Sequence, residues 1–350
     1  MSNTMLLRPI REEERPLYES IIKHPLQSWA WGEFRKKTGV EVERVGFFDN
    51  GKLVSALQIF FHKIPHFNGT AGYYPKGPMP DEEHMSAIIQ LGKRHNALFV
   101  KMEPNVAQPV SSGNNVSGFD EIKKFLVAQG AKPGRPLFTK YTFQLDLTHS
   151  EEKLFEQLAS KTRYNVNVAF KKGVEIFENS TPEGVERHLE ILAETTTRQG
   201  FYAHGPDYFR TMWETLGKSG SMRIFEAVYQ DTVLVSWIMF VCNGVLYYPY
   251  GASRAVHRDV MASNLMMWEM IKFGKANGCK MFDMWGSLGP EPNEKDPWFG
   301  FHRFKKGFGG ELVEFIGTYD VVINSSMYPV FRLAEDLRWT FLRFKAKLRK

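Results

Sequence analysis

Cysteine is nearly absent from this chain of 350 residues, which holds only Cys242 and Cys279. Two thiols make no disulfide framework, and without a CxxC or a Cys/His cluster zinc is not expected. Both lie in hydrophobic segments, as reduced thiols of a cytoplasmic protein would. Long apolar runs are missing too: none approaches the ~18 residues of a membrane span. The opening MSNTMLLRPIREEERP lacks an apolar stretch of signal-peptide length. No GxxxxGK[ST], HExxH or GxSxG occurs, and no GxGxxG follows a strand pattern. The ten histidines are scattered, so no metal is expected. Net charge is small, +6, and uneven. From Arg332 to Lys350 seven basic residues stand against two acids, +5, leaving the body near +1. That argues against a diffuse nucleic-acid coat but allows a local basic patch.

What is present suits a large folded core. Hydrophobic residues make up 43% and aromatics 14%, led by 28 Phe, over a length that suggests about two domains. The chain also repeats itself. Val45 to Phe61 and Ile224 to Val241 each read as apolar run, polar turn, apolar run, with turns at Asp49-Asn50-Gly51 and Gln230-Asp231-Thr232. Gly72 to Gly77 (GYYPKG) matches Leu246 to Gly251 (LYYPYG). Helical segments follow at Glu82 to Asn96 and Ala262 to Asn277, then buried-strand patterns at Ala97 to Glu103 and Lys280 to Trp285. Phe125 to Gly130 resembles Phe304 to Gly309, and each leads into an apolar strand, Tyr141 to Leu147 and Leu312 to Val321. The order is kept at offsets of 174 to 183 residues, which argues for two copies of one mixed α/β unit. The boundary is expected near Thr148, where Ser150 opens a helix. This gives one unit over 1–148 and a second over 149–319, with 320–350 returning to pack on the first. Gly307 to Gly310 (GFGG) reads as a helix end and turn rather than a phosphate cradle.

The repeated unit resembles the acyltransferase fold of the GNAT type. Members that use acetyl-CoA hold its pyrophosphate on a glycine-rich loop at a helix N-terminus. The corresponding turns, Tyr74 to Met79 and Arg254 to Ser263, lack closely spaced glycines. The whole chain resembles the Fem family of peptidoglycan bridge-forming aminoacyltransferases. The resemblance rests on Gln27 to Gly39, Lys76-Gly77-Pro78, Lys161 to Glu175, Tyr248 to Ser253, Phe282-Asp283 and Gly300 to Phe308. It implies two tandem GNAT-like domains. No heptad run marks the coiled-coil arm that many members carry. It also implies transfer of an amino acid from aminoacyl-tRNA, as co-substrate and with no other cofactor, to a stem-peptide amine. The acceptor is a lipid-linked or UDP-linked murein precursor. Rival readings are an acyl-CoA-dependent N-acyltransferase and a non-catalytic protein that binds precursor or RNA. A monomer is expected.

Family position singles out Lys305 to contact the acyl-tRNA end and stabilise the reacting carbonyl; the residues alone make it one of three basic groups on a helix face. Glu103 ends a strand where the family often has an acid, and reads equally as proton acceptor or strand-end carboxylate. Trp31, Arg35 and Lys36 lie where the precursor is expected, with one of the two cations at its diphosphate. Tyr208 and Tyr250 match precursor-binding positions, and tyrosine suits a wet pocket. His204 or Gly205 stands where the family often has arginine, and a neutral imidazole lacks a guanidinium's bidentate grip. Lys161, Arg163, Lys171 and Lys172 could meet tRNA phosphates or form an ordinary solvated helix face. Asp283 reads as structural. The tail carries Val330, Ala334, Leu337, Phe341, Phe344 and Leu348 at helical spacing, expected to pack on the first unit, with anionic lipid at the membrane's cytoplasmic face as the alternative.

Overall fold

A computed structural model describes residues 5–65, 67–110, 117–200 and 203–348. The strands are β1 Leu6–Pro9, β2 Glu41–Asp49, β3 Lys52–Lys63, β4 Thr70–Pro75, β5 Ala97–Glu103, β6 Ala107–Pro109, β7 Ala131–Pro133, β8 Tyr141–Asp146, β9 Glu175–Glu178, β10 Met222–Tyr229, β11 Thr232–Cys242, β12 Val245–Ser253, β13 Met281–Asp283, β14 Glu311–Phe315 and β15 Tyr319–Val322. The α-helices are α1 Arg15–Ile21, α2 Trp29–Lys37, α3 Glu82–Arg94, α4 Ser117–Ala128, α5 Glu151–Gln157, α6 Ser160–Lys171, α7 Pro182–Gln199, α8 Pro206–Met212, α9 Ala262–Ala276, α10 Phe299–Lys306 and α11 Met327–Leu348.

The local repeat signals are present in the fold. Asn50-Gly51 and Gln230-Asp231 are two-residue turns with positive φ throughout, joining Asp49 to Lys52 and Tyr229 to Thr232 as hairpin partners. The twin YYP motifs have a steric cause. A Cβ on Gly77 would lie 2.0 Å from the Tyr74 hydroxyl, and one on Gly251 would lie 1.9 Å from that of Tyr248. Each buried ring needs a bare backbone three residues on.

Two sheets result, in the orders β1-β2-β3-β4-β5-β15-β7 and β6-β14-β8-β13-β12-β11-β10-β9. In each, the fourth and fifth strands of the repeat run parallel, β4 beside β5 and β12 beside β13. The two repeats exchange their last strands. β8 pairs with β13 of the second copy, and β15 pairs with β5 of the first. A boundary at 148 therefore leaves β8 with the wrong sheet. The expected single strand from Leu312 to Val321 is also two strands in different sheets, parted at Gly317 with φ +99°. An apolar alternation predicts a strand but not its partner.

One apolar cluster belongs to both units, joining Trp29, Trp31, Phe34 and Phe60 to Phe209, Ile224, Phe240 and Tyr247. It lies along the seam between the sheets. The tail returns to the first unit through β15 and α11. Asn324 Oδ1 accepts from Met327 N to open the helix. Tyr328 and Phe331 pack on Ile64, Leu98 and Phe99. Beneath them Lys101 Nζ meets Asp320 Oδ1 at 2.7 Å, and Tyr328 donates its hydroxyl to Asp320 Oδ2 at 2.9 Å. The expected packing stripe points elsewhere: Val330, Leu337 and neighbouring Leu333 are 51%, 62% and 63% exposed, and Ala334 is exposed with them. The side chains of Phe341, Phe344 and Leu348 fall outside the described ones.

Candidate active site

The first wall of the seam is set by Gln27 to Gly39. Gln27 Nε2 donates to the carbonyls of Pro75 (2.7 Å) and Gln58 (3.1 Å), fixing the segment to β4 and β3. Ser28 caps α2 by accepting from Trp31 N. Gly32 leaves room for Arg44, whose guanidinium would lie 1.9 Å from a Cβ there. Trp31 does not line an open pocket. It is buried against Phe34 and Phe240, so its expected place at the precursor becomes a packing role between the units.

One turn on, α2 separates its two cations. Lys36 is exposed and pairs with Glu33 at 2.9 Å. Arg35 is half-buried, 5.9 Å from the ring centre of Tyr208 in α8, and has no carboxylate partner among the described residues. Its field reaches His62, Tyr73, His204, Tyr208 and Tyr250. Burial, then Arg35, lowers the pKa of His204 and holds His62 down at about 4. Burial raises the hydroxyl pKa of Tyr73, Tyr208 and Tyr250 against the opposing pull of Arg35. His204 is exposed as a residue, but its ring stacks on Tyr208 at 3.8 Å, which takes the imidazole partly out of water. One unpaired guanidinium among neutral imidazoles and phenols suits a bound anion.

Further along the seam, Glu103 is buried and saturated. Its Oε1 accepts from Leu137 N (2.8 Å), Phe138 N (3.0 Å) and Thr318 Oγ1 (2.6 Å), and Oε2 accepts from the Tyr73 hydroxyl (2.5 Å). Four donors occupy the acceptor sites a proton would need. The proton-acceptor reading gives way to the strand-end one, in which Glu103 pins the 134–140 loop.

Lys305 is 1% exposed. α10 aims its Nζ at the carbonyls of Met284 and, at 2.7 Å, Gly286, and the Phe301 ring covers it at 4.0 Å. Burial lowers its pKa to about 7, opposed by Asp283. Asp283 is itself tied to Thr142, Gln144 and the backbone of Trp285, which agrees with its structural reading. Trp285 adopts φ +73°, a conformation rare for a bulky side chain.

Sequence reasoning missed Lys76, quoted only as part of a motif. It is 2% exposed with φ +52°, and its Nζ lies 3.0 Å from the Phe315 ring centre and 4.0 Å from that of Phe138. Its backbone N donates to the Glu103 carbonyl at 2.7 Å, which fixes the turn to the end of β5. Burial lowers its pKa to about 7, opposed by Asp283 and Glu103. A single lysine in a Pro-Lys-Gly-Pro turn carries no periodic signal.

The basic cluster of α6 divides. Arg163 donates to the carbonyls of Glu156 and Leu158, and Lys172 pairs with Asp259 at 2.6 Å. Lys161 and Lys171 are exposed, with Tyr164, two-thirds exposed, between them at helical spacing. Among the described residues no group of His, Cys, Asp and Glu could hold a metal ion.

The profile of the FemAB family matches residues 17–227 and 218–336. The lipid II:glycine glycyltransferase of Staphylococcus haemolyticus (strain JCSC1435) is 23% identical over 417 residues, covering 95% of this chain and 96% of that protein. Its counterpart in Staphylococcus aureus (strain USA300) is 22% identical with the same coverage. The crystal structure of FemX superposes with a TM-score of 0.81 at 20% identity, over 93% of this chain and 99% of FemX. A tandem GNAT protein from the clavulanic acid biosynthesis pathway follows at 0.53 and 13% identity, over 91% of this chain and 99% of that one. The fold is thus two GNAT-like units without a long coiled-coil arm among the described residues, and the chain belongs to the FemAB family.

Proposed function

We propose that this protein is an aminoacyltransferase of peptidoglycan bridge formation. It moves an amino acid from aminoacyl-tRNA to the stem-peptide amine of a murein precursor. The observations that carry the reading are the guanidinium of Arg35 beside Tyr208, with no carboxylate partner among the described residues, and the buried ammonium of Lys305, held by two backbone carbonyls of the second unit. The first offers a cation to a diphosphate, and the second offers one to an ester carbonyl. The curated relatives named lipid II:glycine glycyltransferase support a lipid-linked acceptor.

The reaction is aminolysis of an ester. The amine nitrogen bonds to the carbonyl carbon, the carbon–oxygen bond to the tRNA ribose breaks, and the ribose oxygen leaves with the proton the amine gives up. At neutral pH an ordinary lysine amine pays about 4.6 kcal/mol to be unprotonated, so desolvation in the seam helps the nucleophile. Negative charge grows on the carbonyl oxygen, and Lys305 supplies the fixed cation for it. Two carbonyls orient its ammonium, and the Phe301 ring covers it until the ester arrives. Glu103, being saturated, holds the wall and takes no proton.

The test offers the purified protein a pool of charged tRNAs with either lipid-linked or UDP-linked precursor, and weighs the products. A residue-sized mass gain on one acceptor supports the reading and names both acceptor and amino acid. No gain on either, with acyl transfer from CoA thioesters, favours the acyl-CoA reading. Precursor binding without any turnover favours a binding protein.

A further inference from the structure

Helix α11 is amphipathic with its apolar side outward. Asn324, Tyr328, Phe331 and the buried Lys101–Asp320 pair hold one side to the first sheet. The opposite side shows Val330, Leu333 and Leu337 at i, i+3 and i+7, all more than half exposed. No described residue covers this stripe. The helix backbone runs on to Leu348, and the sequence keeps the spacing with Phe341, Phe344 and Leu348. Its two acids are neutralised by neighbouring arginines: Glu335 meets Arg332 at 3.0 Å and Asp336 meets Arg135 at 2.7 Å. The remaining charge from Arg338 onward is wholly basic.

We propose that α11 is a docking helix that lays the Val330, Leu333 and Leu337 face on an anionic bilayer surface. Charge chooses this occupant over a second copy. Residues 332–350 carry +5, so two such helices repel when paired, whereas anionic headgroups attract them within a Debye length. An apolar face flanked by basic residues is the composition that lies in the headgroup–acyl boundary. At 22 residues the helix is about 33 Å long, enough for some six turns of contact. None of the described helices is long and apolar enough to cross a membrane, so contact is along the surface. The proposal stands on the helix itself, apart from the reading of the seam.

The test sediments the full-length protein with vesicles of phosphatidylglycerol and phosphatidylcholine, or phosphatidylcholine alone, in low and high salt. The expected result is binding to the anionic vesicles that weakens in high salt. The double variant Leu333→Glu, Leu337→Glu should lose it at least ten-fold with an unchanged melting temperature, because both side chains are already exposed. Transfer to a soluble UDP-linked acceptor, where the protein accepts one, should be unaltered in that variant, which separates docking from catalysis. Absence of anionic-vesicle binding overturns the proposal, as does equal binding by wild type and variant. So does a wild-type dimer, without vesicle binding, that the variant converts to monomer.

Discussion

The field of one carboxylate, Asp283, reaches two buried lysines, Lys76 in the first unit and Lys305 in the second. Burial lowers both lysines to about 7, and Asp283 pulls each back up. Asp283 also holds Thr142, Gln144 and Trp285, so one strand end organises the cations on both sides of the seam.

These lysines should make stability depend on pH in a defined direction. Above about 7 the folded lysine loses its proton, whereas the unfolded chain keeps it to about 10.4. The unfolded state binds more protons between those values, so stability rises with pH there, and below 7 the burial penalty, about 5 kcal/mol, is complete. Lys76→Met removes the penalty. Its melting temperature should exceed that of wild type by several degrees at pH 7, and the gap should narrow by pH 10. Thermal melts at both pH values decide it; a constant gap contradicts the assignment.

Arg35 and Lys36 are neighbours with opposite expectations. Arg35→Ala should weaken precursor binding about ten- to a hundred-fold, the loss of a charged hydrogen-bonding group. Lys36→Ala removes only an exposed pair with Glu33 and should change binding less than about two-fold. Titration calorimetry with a diphosphate-bearing precursor measures both.

Glu103→Gln should damage the fold rather than the chemistry. An amide NH2 would replace an oxygen that now accepts hydrogen bonds, leaving donors face to face and costing about 2–4 kcal/mol. The expected signature is a lower melting temperature with an unshifted pH profile of turnover. A lost acidic limb of that profile at unchanged stability would restore Glu103 as a base.

Gly251→Ala should cost at least about 1–3 kcal/mol, since its Cβ would meet the buried Tyr248 hydroxyl. The double variant Gly251→Ala, Tyr248→Phe should recover part of the loss, because the clashing oxygen is gone. Urea titration of the three proteins reads this directly.

How far these features were legible follows from what a sequence pattern encodes. The hairpin at Asn50-Gly51 and the twin tyrosine–glycine motifs are local, and their chemistry announces them. The exchange of β8 and β15 is not, because alternation marks a strand without naming its neighbour. Helical spacing showed the apolar stripe of α11, but not that Tyr328 and Phe331 would take the packing side. Arg35 and Lys36 differ by about 100° of helix rotation, too little to assign before the helix is seated. Lys76 needed both sheets in place, since the rings around it come from the 134–140 loop and β14.

The central claim is transfer of an aminoacyl group from a tRNA ester to an amine. The most direct measurement follows a radiolabelled amino acid, charged on tRNA, in single turnover with the accepted precursor. The account predicts that label passes from a base-labile ester to a base-stable amide on the precursor. It also predicts that ribonuclease beforehand abolishes transfer, and that Lys305→Ala slows it at least a hundred-fold while still binding precursor. Label that stays base-labile on tRNA with every precursor, while a CoA thioester acylates the same amine, would contradict it.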